Sequence, residues 1–142
     1  MKTRILLFSI LISILCFQHC SAAVDEVWFD KLEDGINAAT KEQKIVLVGF
    51  TTEWCKWCLK MKREILEADQ FLIFAKDNFV KVMLDAEKNE KISAQFKIEN
   101  YPTFVILDSQ KNELGRIEGF KEMKDFIEIL KRFVNRKDTK KK

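Results

Sequence analysis

Two cysteines separated by two residues are the part of this sequence best suited to chemistry. Cys55 and Cys58 follow a continuously apolar run at residues 45–50, and they open a stretch with helical spacing. A Cys-x-x-Cys pair at the junction of a strand and a helix is typical of a redox site. The unpaired amides and the partial positive charge of a helix N-terminus stabilise a thiolate there. The pattern therefore predicts disulfide exchange.

Residues 1–23 have the pattern of a secretory signal peptide. Positive charge comes first, at Lys2 and Arg4, and an apolar stretch too short to span a bilayer comfortably follows it. Ala22 and Ala23 then offer small residues for cleavage. We therefore expect an exported, periplasmic protein. A retained membrane anchor and a lipid attached to a cysteine of this segment are the alternatives.

Removal of this segment would leave few cysteine and histidine ligands for a metal in the chain. Cys16, Cys20 and His19, the only histidine, lie in it, so the mature chain would keep only Cys55 and Cys58. Structural zinc needs four ligands, and a Cys-His hydrolase needs a histidine base. We therefore expect no metal and no cofactor. A purely structural disulfide is the alternative, although closing so short a ring contributes roughly 2 kcal/mol, against about 3 kcal/mol for a fifteen-residue loop.

The rest of the chain has the size of one domain. About 119 residues remain (142 minus 23), and loss of two cationic residues with the segment takes the formal charge from +3 to +1. We assign residues 24–135 to one domain and residues 136–142 to a basic disordered tail. Weak attraction of this tail to anionic lipid is the alternative. The body of the chain has no basic stripe, so nucleic acid is not an expected partner.

Apolar periodicity predicts that helices and strands alternate along the mature chain. The predicted helices cover residues 25–43 (with Trp28 on the core face), 55–66, a short segment capped by Asp69, residues 90–96 and a last segment from Met123. The predicted strands cover residues 45–50, 79–84, 103–107 and 114–118, the last two antiparallel because their connection is short. This order predicts an α/β fold with a central mixed sheet and helices on both faces. Cys55 would then lie beyond the carboxyl end of the first strand, where such sheets place their sites.

Several segments resemble the thioredoxin superfamily, and together they span nearly the whole mature chain. Residues 46–50 and 53–58 are similar to its strand and active-site turn, and residues 79–85 resemble its next core strand. Residues 101–103 are similar to its cis-proline loop, and residues 118–120 resemble the glycine before its last helix. The Trp-Cys-x-Trp-Cys motif resembles that of periplasmic thiol:disulfide interchange domains. The resemblance implies a thioredoxin-like fold and thiol-disulfide oxidoreductase activity.

The resemblance implies different roles for the two cysteines. Cys55, accessible at the start of the helix, would be the attacking thiol, and Lys56 would add a positive charge beside it. Cys58, one turn deeper, would resolve the mixed disulfide by attacking Cys55 and releasing the reduced partner.

The resemblance also implies which residues shape the substrate site. Trp54 is expected to pack beneath the site, or to be an ordinary core aromatic residue. Trp57 is expected to face outwards, where it would offer an apolar surface to a protein substrate. Pro102, between Tyr101 and Thr103, would be a cis proline facing the cysteines, and its backbone would pair with an extended substrate strand. A proline in a merely tight turn is the alternative.

One position departs from the thioredoxin pattern. Thioredoxins carry a buried aspartate under the second cysteine, and Gly49 occupies the matching position here. Lys81 matches the lysine that partners this acid in the family. Glu53, immediately before the motif, is a candidate for proton transfer, with a surface carboxylate as the alternative. Exchange is expected to persist without the aspartate, but thioredoxin-like reducing efficiency is in doubt.

Two classes of function follow from these observations. The first is an exported thiol-disulfide oxidoreductase acting on protein thiols and disulfides, with a reductase or interchange role slightly favoured. It would work as a monomer with an upstream redox partner, which could be membrane-bound. The second is a non-catalytic binding module for extended protein partners. A peroxide-reducing enzyme is a third and weaker hypothesis, because Arg63 is the only arginine near the motif.

Overall fold

The computed structural model describes residues 27–139, with side chains as far as residue 136. The predicted signal peptide at 1–23 lies outside the described residues. The strands are β1 (Trp28–Phe29), β2 (Ile45–Thr51), β3 (Phe79–Asp85), β4 (Thr103–Leu107) and β5 (Glu113–Glu118). The helices are α1 (Leu32–Glu42), α2 (Lys56–Met61), α3 (Asp69–Asn78), α4 (Glu90–Gln95) and α5 (Met123–Thr139), and α2 continues into a π-helical turn (Lys62–Leu66).

The five strands form one mixed sheet in the order β1-β3-β2-β4-β5. β3 runs parallel to both β1 and β2, whereas β4 runs antiparallel to β2 and β5 runs antiparallel to β4. The antiparallel pairing of the last two strands was predicted from their short connection. β2 lies at the centre of the sheet, which explains why its residues are continuously apolar.

Helices cover both faces of this sheet, as predicted. Side chains alternate along β2, so Leu47 faces one core, whereas Val46 and Val48 face the other. The first core includes residues of α3 and α5, such as Phe71 and Phe126. The second core includes residues of α1. Packing on both faces holds β2 in place and fixes the point at which the chain leaves the sheet towards Cys55.

The first helix is shorter than predicted. It begins at Leu32, and Trp28 belongs to β1, where it pairs with Lys81 of β3. The Trp28 ring also stacks on Phe71, with the ring centroids 6.3 Å apart. Pairing with β3 and this aromatic contact both join residues distant in sequence, so the local helical spacing of Trp28 gave a wrong prediction.

Two further boundaries differ from the predictions. Asp69 is the first residue of α3 and not its cap, since Ala68 occupies the cap position. The negative charge of Asp69 in the first turn still interacts favourably with the helix dipole. α5 continues to Thr139, so residues 136–139 of the predicted tail are helical. Basic residues near a helix C-terminus interact favourably with the dipole and help the helix to continue. Residues 140–142 lie outside the described residues.

Candidate active site

Cys55 and Cys58 form a disulfide at the start of α2, with their Cα atoms 5.2 Å apart. β2 ends at Thr51, and after a short turn Cys55 serves as the N-cap of the helix. The backbone N–H of Cys58 donates a hydrogen bond to Cys55 Sγ at 3.1 Å. A cap residue normally uses an oxygen for this bond. Here the sulfur takes that place, and on reduction the same amide would stabilise a Cys55 thiolate.

Both cysteines are buried in the closed pair, each with only 5% of its surface exposed. The prediction that Cys55 remains accessible is therefore wrong for the disulfide form. The bonded sulfurs lie at the base of the turn, whereas Trp54 and Trp57 beside them are 66% and 57% exposed. Lys56 between the cysteines is also exposed.

Trp54 does not pack beneath the site, contrary to the prediction. Its indole N–H donates a hydrogen bond to Glu87 Oε1 at 2.8 Å. Its ring lies edge-on to Tyr101, with centroids 6.0 Å apart. This hydrogen bond holds the indole at the surface, because Glu87 lies in the exposed loop after β3. Trp54 therefore links the active-site turn to two neighbouring loops from outside.

Trp57 faces outwards, as predicted, and it is part of a surface group that sequence reasoning missed. Its ring lies 5.6 Å from the ring of Phe120, centroid to centroid. Lys60 Nζ lies 4.4 Å from the Phe120 centroid and 5.6 Å from that of Trp57, within the range of a cation–π contact. We call Trp57, Lys60 and Phe120 the aromatic patch. The sequence signal for this group was the glycine directly before Phe120. Gly119 has a positive φ of 72°, and the chain turns there.

The Tyr101–Pro102 peptide bond is cis. Pro102 lines the same cavity as Cys58, so the loop does lie against the redox pair. The carbonyl of Pro102 accepts a hydrogen bond from the Gly119 N–H at 2.8 Å. Thr103 is buried in β4, and its hydroxyl donates to the Asn100 carbonyl at 2.8 Å. Proline has no N–H and its carbonyl already has a partner, so pairing with a substrate strand would use the backbone of Tyr101.

Apolar atoms fill the place of the missing aspartate. A Cβ added at Gly49 would lie 2.8 Å from Met83 Sδ and 2.9 Å from a ring carbon of Phe104. A larger residue at position 49 would therefore have to displace Met83 or Phe104. Lys81, the expected partner of that acid, is buried, and its Nζ lies 5.5 Å from the centroid of Trp28.

Glu53 belongs to a charged group that holds the active-site turn. Lys88 Nζ lies 2.7 Å from Glu53 Oε1 and 3.0 Å from Asp85 Oδ2. Asp85 Oδ1 also accepts hydrogen bonds from the backbone N–H groups of Glu87 and Lys88. The hydrogen bond from the Lys88 side chain lowers the pKa of Asp85, and the bond to Glu53 raises the pKa of Lys88. The position of Asp85 at the end of a predicted strand was the only sequence signal for this group.

Within residues 27–139, no three His, Cys, Asp or Glu side chains form a group that could hold a metal ion. Within the same residues no helix has the length and apolar character needed to cross a membrane. The site contains a redox pair at a helix start beside a cis proline. A mixed sheet with such a site is typical of the class of thiol-disulfide oxidoreductases.

Comparison with known proteins agrees with this class. A family model described as a thioredoxin-like domain matches residues 32–133. The chain therefore belongs to the thioredoxin-like family. It is 28% identical over 111 residues to the disulfide bond reductase DsbH of Chlamydia pneumoniae, covering 70% of this chain and 66% of that protein. It is 30% identical over 95 residues to thioredoxin H5 of Arabidopsis thaliana, covering 66% of this chain and 72% of that protein.

Solved structures show that the fold is shared. A DsbH oxidoreductase structure superposes with a TM-score of 0.68 at 22% identity, covering 83% of this chain and 91% of that chain. A thioredoxin from Thermus thermophilus superposes with a TM-score of 0.70 at 19% identity, covering 76% and 87%. Among the curated relatives, the match spans just under two thirds of the DsbH protein.

Proposed function

We propose that this protein is an exported thiol-disulfide oxidoreductase that reduces or interchanges disulfides in other proteins. The observation that carries the proposal is the Cys55–Cys58 disulfide at the start of α2, with Cys55 Sγ held 3.1 Å from the amide of Cys58. An amide at this distance stabilises a thiolate, which is the nucleophile in disulfide exchange. The similarity to a protein named a disulfide bond reductase supports the reducing direction.

The proposed reaction begins with the reduced pair. The Cys55 thiolate attacks one sulfur of a partner disulfide, a mixed disulfide forms, and the other partner sulfur leaves as a thiolate. Cys58 then loses its proton and attacks Cys55 Sγ. This second attack closes the Cys55–Cys58 bond and releases the second partner sulfur. The partner gains two electrons and the pair loses two, so each cycle needs an upstream electron donor, which could be membrane-bound.

The surface around the pair suits an extended protein segment. Two aromatic pairs involve residues next to Cys55: Trp57 with Phe120 in the aromatic patch, and Trp54 with Tyr101. Exposed aromatic rings provide apolar contact area that does not depend on one particular substrate sequence. The backbone of Tyr101 would hold the partner in an extended form by strand addition. We therefore propose unfolded or locally extended proteins as substrates, bound by a monomer.

Export is supported by the charge and apolar pattern of residues 1–23. A periplasmic location would supply both disulfide-containing substrates and a need for reduction. Expression of the full chain in a bacterial host, followed by cell fractionation and intact-mass measurement, tests this part. We expect a mature form that begins near Ala22 or Ala23. An unprocessed chain in the cytoplasm would contradict it.

Reduction of insulin by the mature protein, with dithiothreitol as donor, tests the activity. We expect the wild type to accelerate precipitation of the insulin B chain and the Cys55→Ser variant to lose the acceleration. Lys131→Gln is the control, since it changes an exposed residue of α5 outside the active-site turn and keeps both thiols. Wild-type protein that is no faster than dithiothreitol alone would overturn the proposal.

Burial of both sulfurs in the closed pair favours one second candidate, a binding module in which the disulfide stays closed. The double variant Cys55→Ser, Cys58→Ser separates the two functions. Binding of a reduced, unfolded protein would survive this change in a binding module. An oxidoreductase would lose its activity altogether.

A further inference from the structure

The ammonium group of Lys60 is held over two aromatic rings close to the redox pair. Its Nζ lies 4.4 Å from the ring centroid of Phe120 and 5.6 Å from that of Trp57. Trp57 lies between the two cysteines, and Lys60 follows Cys58 within one turn of the same segment. The aromatic patch therefore holds a positive charge within one helical turn of the resolving cysteine.

Lys60 keeps the capacity to bind a further group. Its side chain is 35% exposed, and its ion pair with Glu64 is 3.7 Å long, which is beyond hydrogen-bond distance. An ammonium group has three N–H donors, and exposed ion pairs of this kind are weak, so a carboxylate of a partner can compete with Glu64. Contact with the rings restricts the lysine side chain beforehand, which reduces the entropy lost on binding.

The charge of α2 and of the turn that continues it favours an acidic partner. Residues 56–66 contain four cations and one acid, Glu64. Lys56 is exposed and precedes Lys60 by four positions, so both cations lie on one face of the helix. A carboxylate that approaches this face is therefore attracted, and a cation is repelled.

Acids of the neighbouring segments have contacts of their own. Glu53 Oε1 lies 2.7 Å from Lys88 Nζ, and Glu118 Oε1 lies 4.0 Å from Arg116. Glu87 accepts a hydrogen bond from an indole N–H and keeps its negative charge. We therefore expect a preference for acidic partners to depend on the cation in the aromatic patch and not on the whole surface around the pair.

We propose that Lys60 selects partner proteins that carry an acidic residue beside the cysteine that Cys55 attacks. The inference rests on the proposed function and names a class of substrate for the same site. An apolar side chain of the partner would pack on the exposed ring of Trp57, and the neighbouring carboxylate would bind the Lys60 ammonium group. The exchange step is unchanged, because Lys60 acts on the binding of the partner and not on the transfer of electrons.

The test measures cleavage of three symmetric peptide disulfides that differ only in the residue next to the cysteine, which is glutamate, glutamine or lysine. Each peptide carries a fluorophore that is quenched in the disulfide and brightens on cleavage. Excess reduced mature protein gives a second-order rate constant in a single turnover, without an electron donor. Each rate constant is divided by that of the same peptide with mercaptoethanol, because a neutral thiol reports the intrinsic reactivity of the disulfide.

Three variants separate the charge of Lys60 from other effects. Lys60→Gln removes the charge, whereas Lys60→Arg keeps a cation that can lie over the rings. Lys62→Gln is the matched control, because Lys62 follows closely in the same segment and its ion pair with Glu67 also has a length of 3.7 Å. This control removes one positive charge outside the aromatic patch.

At low ionic strength we expect the wild type to cleave the glutamate peptide about tenfold faster than the lysine peptide after correction, with the glutamine peptide between them. Lys60→Gln should reduce this ratio to about twofold, whereas Lys60→Arg and Lys62→Gln should keep it. Added salt should reduce the ratio in the wild type, because the contact is exposed.

Equal corrected rates for the three peptides in the wild type would overturn the inference alone. The same holds if Lys62→Gln loses as much selectivity as Lys60→Gln, or if Lys60→Arg behaves like Lys60→Gln. A wild type that cleaves none of the peptides faster than mercaptoethanol at equal thiol concentration would overturn the proposed function as well.

Discussion

At the scale of single residues, the account depends on two cysteines with different tasks. Cys55 caps α2 with its sulfur, whereas Cys58 lies inside the helix and beside the cavity. In the proposed reaction, position within one helical turn separates the attacking thiol from the resolving thiol. Each task can be removed by a single substitution.

Replacement of Cys58 by serine should trap partners on Cys55, because the mixed disulfide then has no resolving thiol. We expect Cys58→Ser, expressed in the exported form, to accumulate covalent complexes that appear on non-reducing gels and disappear with dithiothreitol. Cys55→Ser is the control, and it should trap few or none. Equal trapping by both variants would contradict the assignment of roles.

Gly49 gives a prediction about stability at the same scale. A Cβ at this position would lie 2.8 Å from Met83 Sδ and 2.9 Å from Phe104, so Gly49→Ala must displace packed side chains. We expect a loss of about 1–3 kcal/mol in the free energy of unfolding by denaturant titration, typical of overpacking. Met83→Ala should cost less in the Gly49→Ala background than in the wild type, because the new methyl group fills part of the space that the methionine leaves. An unchanged unfolding midpoint in Gly49→Ala would show that the contact is not tight.

At the scale of elements, the loop between β3 and α4 supports the active-site turn. Lys88 of this loop binds Glu53 of the turn at 2.7 Å, and Glu87 accepts the indole N–H of Trp54 at 2.8 Å. Each contact is exposed and is weak alone. Together they join two loops at the carboxyl ends of neighbouring parallel strands, which is where the redox pair lies.

The pKa of Asp85 predicts how this support depends on pH. Lys88 lowers the pKa of Asp85 below its ordinary value of 3.8, so the folded protein holds the carboxylate charged where the unfolded chain would protonate it. The resulting stability is present above pH 3.8 and is lost as the pH falls through the lower folded value. We expect Asp85→Asn to be less stable than wild type at pH 7, with a difference that shrinks below pH 3.8. A difference that grows in acid would contradict this account.

The same elements show what could be predicted from the sequence. Strand β2 was predicted well because burial on both faces makes it continuously apolar. Trp28 and Trp54 were placed wrongly because their partners, Lys81 and Glu87, are far away in sequence. The aromatic patch was missed for the same reason, since Phe120 meets Trp57 only after the chain has folded. Local pattern thus located the redox pair, whereas its surroundings depend on long-range contacts.

At the scale of the whole molecule, the fold places a reactive pair on a rigid support and leaves its approach open. The central strand β2 is fixed by cores on both faces, and the pair follows a short turn beyond its end. The exposed surface around the pair is aromatic and cationic. This arrangement suits transient contact with many proteins.

The central claim is that Cys55–Cys58 is a reversible redox pair poised for reduction of other proteins. The most direct test is the reduction potential of the mature protein, titrated against glutathione or dithiothreitol with thiol trapping of the two states. The account predicts a reversible two-electron transition nearer to about −270 mV, as in thioredoxin, than to about −120 mV, as in a strong oxidant. A value near the oxidising extreme would contradict the reducing direction. A pair that stays closed in strong reductant would contradict the enzyme itself.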